Sequence, residues 1–245
     1  MDRRGDDAHN LARGACMNTF ALAALIAALP AMALAQHPAL PQSVPPGFAR
    51  AEGEALLAQA KAGDLFDDLT GTDAQDIKLR HKASGLICVF NAGEAANKLV
   101  VFDAPVRGDD IACVTGGEAG ERTLYASHTP GRKLEDAFAK DVAAVKTSHP
   151  DWAEYKLPDG TDSPVLAMLN IPPMPPSKTA RFIADHQFTS VSSAVVKDWS
   201  LTFRFTCAEE QADPAAGSWQ PTLWVSILSQ ISGASMDLIQ PKQAI

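Results

Sequence analysis

Residues 199–207 read WSLTFRFTC, and the fold prediction starts from this stretch. Its apolar residues occupy every second position, and polar or charged residues stand between them. Successive side chains of a β-strand point to opposite faces of a sheet. The alternation therefore predicts a strand with one buried face and one polar face.

Several other runs predict strands of the same antiparallel sheet. Their spacing of about 10–13 residues suits antiparallel neighbours. The run 86–90 is apolar throughout, which predicts a central strand. The proline-rich run from Pro172 to Pro176 ends regular structure between two of the later strands. The predicted strands cover residues 77–82, 86–90, 99–102, 110–114, 123–127, 165–171, 181–191 and 199–207.

Three segments predict helices. Residues 51–69 are rich in Ala and Leu and form a loose apolar face, and Gly71 follows them. Residues 133–148 give the clearest pattern, because four apolar residues recur at helical spacing and Phe138 lies within their stripe. We expect this stripe to be buried against one face of the sheet. A further apolar stripe predicts a C-terminal helix over 221–232.

Together these elements predict an α+β fold. We expect an antiparallel β-sheet of about six to eight strands, covered by two or three helices and preceded by a signal peptide. Residues 36–50 are rich in proline and predict an extended arm. Residues 51–245 are then expected to form a single α+β domain.

The N-terminal region 1–35 predicts a secretory signal peptide. Residues 20–35 read FALAALIAALPAMALA, a run shorter than the roughly 20 residues that a membrane-spanning helix needs. The small residues Ala33 and Ala35 suit the pocket of a signal peptidase. We therefore predict cleavage between Ala35 and Gln36, with Met17 as an alternative start. The mature protein is expected in the periplasm or outside the cell, with no stable membrane span.

Three cysteines remain after that cleavage: Cys88, Cys113 and Cys207. An odd number in an oxidising compartment suggests one disulfide and one buried thiol. We predict that Cys88 and Cys113 form the disulfide. A simple three-strand meander over 85–114 would hold them about 10 Å apart, so the bridge needs the two strands to lie side by side or one cysteine at a strand end. A pair that includes Cys207, or no disulfide, stays open at this point.

The formal net charge of −8 bears on the classes of partner. Nucleic acids and anionic lipid headgroups attract basic surfaces, so neither is expected as a partner. An unknown protein or small molecule remains as the expected partner.

Motifs for catalysis and for metal or cofactor binding are missing from the sequence. No two histidines of the mature chain are spaced like zinc ligands, and no C-x-x-C, G-x-S-x-G or H-E-x-x-H motif occurs. The acid-rich stretches lack the spacing of a calcium loop. We therefore predict no cofactor, no metal site and no catalytic residues.

These observations favour an exported, non-catalytic binding or envelope-accessory protein. The alternative is a hydrolase with a dispersed active site, and its candidate residues are Asp110, His128 and His186. A deep pocket that holds a histidine–carboxylate pair would favour the hydrolase. A flat exposed patch of tryptophan or proline would favour the accessory role.

Overall fold

Antiparallel β-strands form two sheets in the computed structural model, which describes residues 45–117, 120–157 and 174–232. Three α-helices accompany the strands in these ranges, so the fold is a mixed α+β fold. The predicted signal region 1–35, most of the predicted arm 36–50 and the predicted strand 165–171 lie outside the described residues. The single domain predicted over 51–245 stays a prediction.

The smaller sheet has the strand order β1-β2-β3. Its central strand alternates between exposed and buried residues, so one face carries the buried side chains of Ile77, Leu79 and His81. The run 86–90 contributes to the third strand, which is an edge strand of this sheet and not the central strand that its composition predicted. The three strands are β1 (Phe66–Asp68), β2 (Asp76–His81) and β3 (Ile87–Asn91).

The larger sheet has the strand order β4-β5-β6-β10-β9-β8-β7. The strand predicted over 199–207 is confirmed as β10, which pairs with β6 on one side and along its whole length with β9 on the other. The seven strands are β4 (Lys98–Val101), β5 (Asp110–Thr115), β6 (Glu121–His128), β7 (Ala153–Glu154), β8 (Ser177–Ala184), β9 (Gln187–Val196) and β10 (Trp199–Ala208).

The two faces of the larger sheet differ in what covers them. On the face that we call the core face, Leu201, Phe203 and Phe205 of β10 join the main hydrophobic core. That core also contains residues of the smaller sheet, of helix α1 (Phe48–Gln59) and of helix α3 (Gln220–Ser232). Helix α2 (Leu134–Ser148) packs mainly on β9 and β8 of the opposite face, which we call the outer face.

The predicted helix 51–69 is wrong at both ends. Helix α1 begins at Phe48, inside the range predicted for the arm, and it ends at Gln59. Lys61 then adopts a left-handed conformation with φ of 52°, and the Ala62 N–H donates to the Leu57 carbonyl. This turn reverses the chain, so Phe66 starts a strand that pairs with β2.

Helix α2 matches the predicted range 133–148, but its buried face is rotated from the predicted stripe. Ala137 and Val145 are buried, whereas Phe138 is only half-buried. Asp141 lies between Ala137 and Val145 on the helix, and its Oδ2 accepts hydrogen bonds from Ser193 at 2.6 Å and Thr202 at 2.7 Å. Periodicity assigns an aspartate to solvent and cannot anticipate this polar contact with the sheet.

One further prediction changes near the C-terminus. The run 181–191 is divided by a hairpin, because Asp185 and His186 have φ of 50° and 60° and reverse the chain between β8 and β9. Residues 209–219, between the predicted strand 199–207 and the predicted C-terminal helix, are helical, with a 3₁₀ turn, a short helical turn and a π-helical turn that lead into α3. The helix predicted over 221–232 is confirmed as α3, which starts one residue earlier.

The Cys88–Cys113 disulfide joins the two sheets. Cys88 lies on β3 and Cys113 on β5, and their Cα atoms are 5.9 Å apart. The strands of 85–114 do not form one meander, because the chain crosses from the smaller sheet to the larger one between β3 and β4. This crossing removes the geometric objection to the bridge. Cys207 is a buried free thiol.

No helix in the described ranges combines the length and the hydropathy that a membrane span requires.

Candidate functional site

The structure does not bring together the three residues predicted for a dispersed hydrolase site. His186 lies in the turn between β8 and β9, where its Nδ1 is 3.4 Å from Glu209 Oε2. His128 is paired with Trp199, at the opposite end of the ten-residue strand β10. At about 3.4 Å per residue, the length of that strand separates His186 from His128 by about 30 Å.

Asp110 and His128 lie close in the sheet but on opposite faces. Asp110 is opposite Ser127 in the register, and the Ser127 hydroxyl donates to Asp110 Oδ1 at 2.8 Å. His128 is the next residue on β6, so its side chain points to the core face. The two residues therefore cannot act on one substrate atom together.

A different set of residues meets where the two sheets join. We call this set the histidine joint: His81, Ser84, Asp109, His128 and Trp199. The Trp199 ring lies between the two imidazoles, with its centroid 5.5 Å from that of His81 and 5.2 Å from that of His128. The joint thus connects β2 of the smaller sheet to β6 and β10 of the larger sheet.

His81 is the most buried residue of the joint, with 1% of its surface exposed. Its Nδ1 lies 2.9 Å from Ser84 Oγ and accepts a hydrogen bond from the Ser84 N–H at 3.4 Å. Because Nδ1 accepts from this N–H, the neutral ring carries its proton on Nε2. Burial lowers the pKa of His81 below its usual 6.5, and the nearby Asp109 carboxylate opposes that effect.

Asp109 is a residue of the histidine joint that the sequence analysis did not single out. Its Oδ2 lies 3.4 Å from His128 Nδ1, and its carbonyl accepts the His128 N–H at 2.6 Å. Asp109 and His128 are 19 residues apart and belong to different elements, so no local motif connects them. The only signal in the sequence was the position of Asp109 next to the candidate Asp110.

Ser84 and His81 have the spacing of a nucleophile and a base, but their surroundings fit a turn. The Ser84 hydroxyl also accepts the Leu86 N–H at 3.2 Å, and the Gly85 N–H donates to the His81 carbonyl at 2.8 Å. A serine nucleophile needs N–H groups that are free to stabilise an oxyanion. Here the neighbouring N–H groups hold the β2–β3 hairpin together.

The outer face of the larger sheet offers a second candidate site, next to the part that α2 covers. The pairing register places Val100 of β4, Ala112 of β5 and Tyr125 of β6 side by side in one row. Phe102 follows β4, and its ring stacks on Tyr125 with centroids 6.5 Å apart. Phe102 keeps 39% of its surface exposed, and burial raises the pKa of Tyr125.

A row of residues next to these apolar side chains carries positive charge. The register aligns Lys98, Val114, Thr123 and Arg204 across β4, β5, β6 and β10. Among the described residues, no carboxylate lies within 4.0 Å of either cation, as an ion pair would require. We call the combined surface the outer-face patch: Lys98, Val100, Phe102, Val114, Tyr125 and Arg204.

The tryptophans and the proline-rich run named in the sequence analysis contribute little to a candidate site. Trp152, Trp199 and Trp224 are buried, and Trp219 keeps 38% of its surface exposed. Pro172 and Pro173 lie outside the described residues. A shallow groove of about 400 Å³ lies over the turn before α2 and is lined by Thr129, Pro130, Gly131, Arg132 and Asp136.

Within residues 45–117, 120–157 and 174–232, no group of three or more His, Cys, Asp or Glu residues is placed to hold a metal ion. Comparisons with protein-family models, curated proteins and solved structures found no match for the chain.

Proposed function

We propose that this chain is an exported, non-catalytic protein that binds a protein partner through the outer-face patch. The observation that carries the proposal is the composition of that patch. A stacked aromatic pair and two valines lie beside two cations that have no ion-pair partner among the described residues.

The patch has the residue types that dominate protein–protein interfaces. Tyrosine, phenylalanine and arginine are enriched at such interfaces, and tyrosine and arginine often carry much of the binding energy. A partner that fits would place apolar side chains on Phe102 and Tyr125, and carboxylates opposite Lys98 and Arg204. The cationic row is local, because the whole chain has a net charge of −8.

The size of the patch sets an expectation for affinity. Four strands span about 15 Å across the sheet, so the patch alone is smaller than a standard interface of about 800 Å² per partner. We therefore expect a transient complex that depends on salt concentration.

Export is supported by two observations from different parts of the chain. The apolar run 20–35 ends in small residues, as a signal peptide does. The disulfide between Cys88 and Cys113 fits an oxidising compartment. Periplasmic or secreted localisation is part of the same proposal.

Arg204→Glu should weaken binding of the partner by about tenfold or more, because it replaces attraction to a carboxylate by repulsion. The partner is first identified by photo-crosslinking in cells from p-benzoylphenylalanine placed at position 102. The crosslinked protein is then purified, and its Kd for the wild type and for Arg204→Glu is measured by calorimetry at low and high salt.

Position 89 provides the matched control. Val89 keeps 37% of its surface exposed, close to the 39% of Phe102, but lies on β3 of the smaller sheet. We expect the adduct from position 102 and not from position 89. Equal crosslinking from both positions, no adduct from position 102, or a Kd that Arg204→Glu leaves unchanged would each contradict the proposal.

The hydrolase with a dispersed site is the weaker alternative. Its named residues Asp110, His128 and His186 are separated, and the one observation in its favour is the Ser84–His81 contact at 2.9 Å. A covalent adduct of a fluorophosphonate with Ser84 would favour the hydrolase over binding.

A further inference from the structure

The histidine joint holds a titratable side chain at the contact between the two sheets. His81 ends β2, and its ring lies 5.0 Å from Phe66 of β1 and 5.5 Å from Trp199 of β10, measured between centroids. The β4–β5 loop closes the remaining side, because a Cβ on Gly108 would lie 3.6 Å from His81 Nε2. Gly108 has φ of +95°, a conformation that suits glycine and allows this close approach.

The turn that follows His81 uses the unprotonated Nδ1 of the ring as a hydrogen-bond acceptor. A proton on Nδ1 would be directed to the Ser84 hydroxyl oxygen 2.9 Å away, and the Ser84 N–H would lose the acceptor that it has in the neutral state. The Ser84 hydroxyl also contacts Nδ1 and accepts a hydrogen bond from the Leu86 N–H. Protonation of His81 therefore disturbs the turn that joins β2 to β3 and places a cation in an apolar contact.

The titratable and charged groups around His81 come from four elements. Asp109 of the β4–β5 loop carries the carboxylate whose charge acts on His81, and it also approaches His128 of β6. Arg80 and Lys82, the cations of the β2–β3 hairpin, are exposed and approach Asp67. One carboxylate shared between two histidines compensates a charge on His81 only in part.

We propose that the histidine joint is a pH-sensitive device. Proton uptake by His81 in acidic surroundings loosens the smaller sheet from the larger one, while the Cys88–Cys113 disulfide keeps the two sheets attached. The inference does not depend on the binding proposed for the outer-face patch, because His81 lies on the core face.

The sign of the pH dependence follows from the lowered pKa. Between the folded pKa of His81 and its usual value of 6.5, the unfolded chain binds more protons than the folded protein. The contribution of His81 to the free energy of unfolding therefore falls as the pH drops below 6.5. It stops changing below the folded pKa.

The test is amide hydrogen exchange of the oxidised mature protein, corrected for the intrinsic pH dependence of exchange. From about pH 7.5 to about pH 5, we expect protection in β1–β3 to fall by about threefold or more, and by less in β9 and β10. His81→Gln should abolish this difference, because glutamine does not titrate. His186→Gln, which changes a histidine whose side chain is 96% exposed, should leave the difference unchanged.

Direct titration of His81 by NMR makes the test independent of whether His81→Gln folds. A midpoint below 6.5 supports the device. A midpoint at or above 6.5 would overturn it, because attraction of the cation to the Asp109 carboxylate and to the Phe66 and Trp199 rings would then match or exceed the cost of burial. Equal loss of protection in both sheets would overturn it as well.

Discussion

Replacing both Cys88 and Cys113 by alanine should lower the free energy of unfolding by roughly 3–4 kcal/mol. The bridge closes a loop with a sequence separation of 25 residues. Closing such a loop lowers the entropy of the unfolded chain, which raises its free energy by roughly 3–4 kcal/mol. The measurement is urea unfolding of the oxidised wild type and of the double variant, both without reductant.

The position of the disulfide gives a second reason for a large effect. Cys88 and Cys113 are both buried, and they connect β3 to β5 across the two sheets. Without the bridge, the contact between the sheets depends on packing and on hydrogen bonds such as that from Asn91 Nδ2 to the Gly116 carbonyl at 3.1 Å.

Cys207→Ala is the matched control for the disulfide variant. Cys207 is buried on β10 but makes no disulfide, so its replacement should cost less than the double substitution. If the free energy of unfolding of the double variant lay within about 1 kcal/mol of the wild-type value, the disulfide would not be a main contributor to the stability of the fold.

Phe205→Ala should lower the free energy of unfolding by about 3–5 kcal/mol, the usual cost of deleting a fully buried phenylalanine ring. Phe205 keeps 2% of its surface exposed and lies on β10, the middle strand of the larger sheet. Its neighbours on the core face cannot close the resulting cavity without moving a paired strand. Thermal or urea unfolding gives the value.

Phe138→Ala provides the comparison within the same residue type. Phe138 is half-buried on α2, so part of its surface already contacts water and its deletion should cost clearly less than that of Phe205. Equal losses from the two substitutions would mean that the burial of α2 against the outer face is misassigned.

The strands were more predictable from the sequence than their arrangement. Alternation along 199–207 predicts β10, because a half-buried strand needs that pattern. Nothing in the pattern of a single strand states its partners, so the division into two sheets between β3 and β4 could not be predicted. The hairpin at Asp185 and His186 was missed because neither residue is glycine, although aspartate and histidine adopt positive φ more often than most other residues.

The polar contacts were the least predictable part of the candidate sites. A helical pattern alone would place an aspartate such as Asp141 on the solvent side, yet Asp141 accepts two hydrogen bonds from the sheet. Asp109 meets His128 only because the β4–β5 loop returns to the end of β6. The outer-face patch likewise depends on the register of four strands, which brings Lys98 and Arg204 into one row.

Export with a disulfide between the two sheets can be tested in one experiment, mass spectrometry of the protein isolated from its native cells after alkylation and without reduction. The expected result is a mature chain that begins at Gln36, a linked pair of peptides containing Cys88 and Cys113, and an alkylated Cys207. A chain that retains residues 17–35, three alkylated cysteines, or a bridge that includes Cys207 would contradict it.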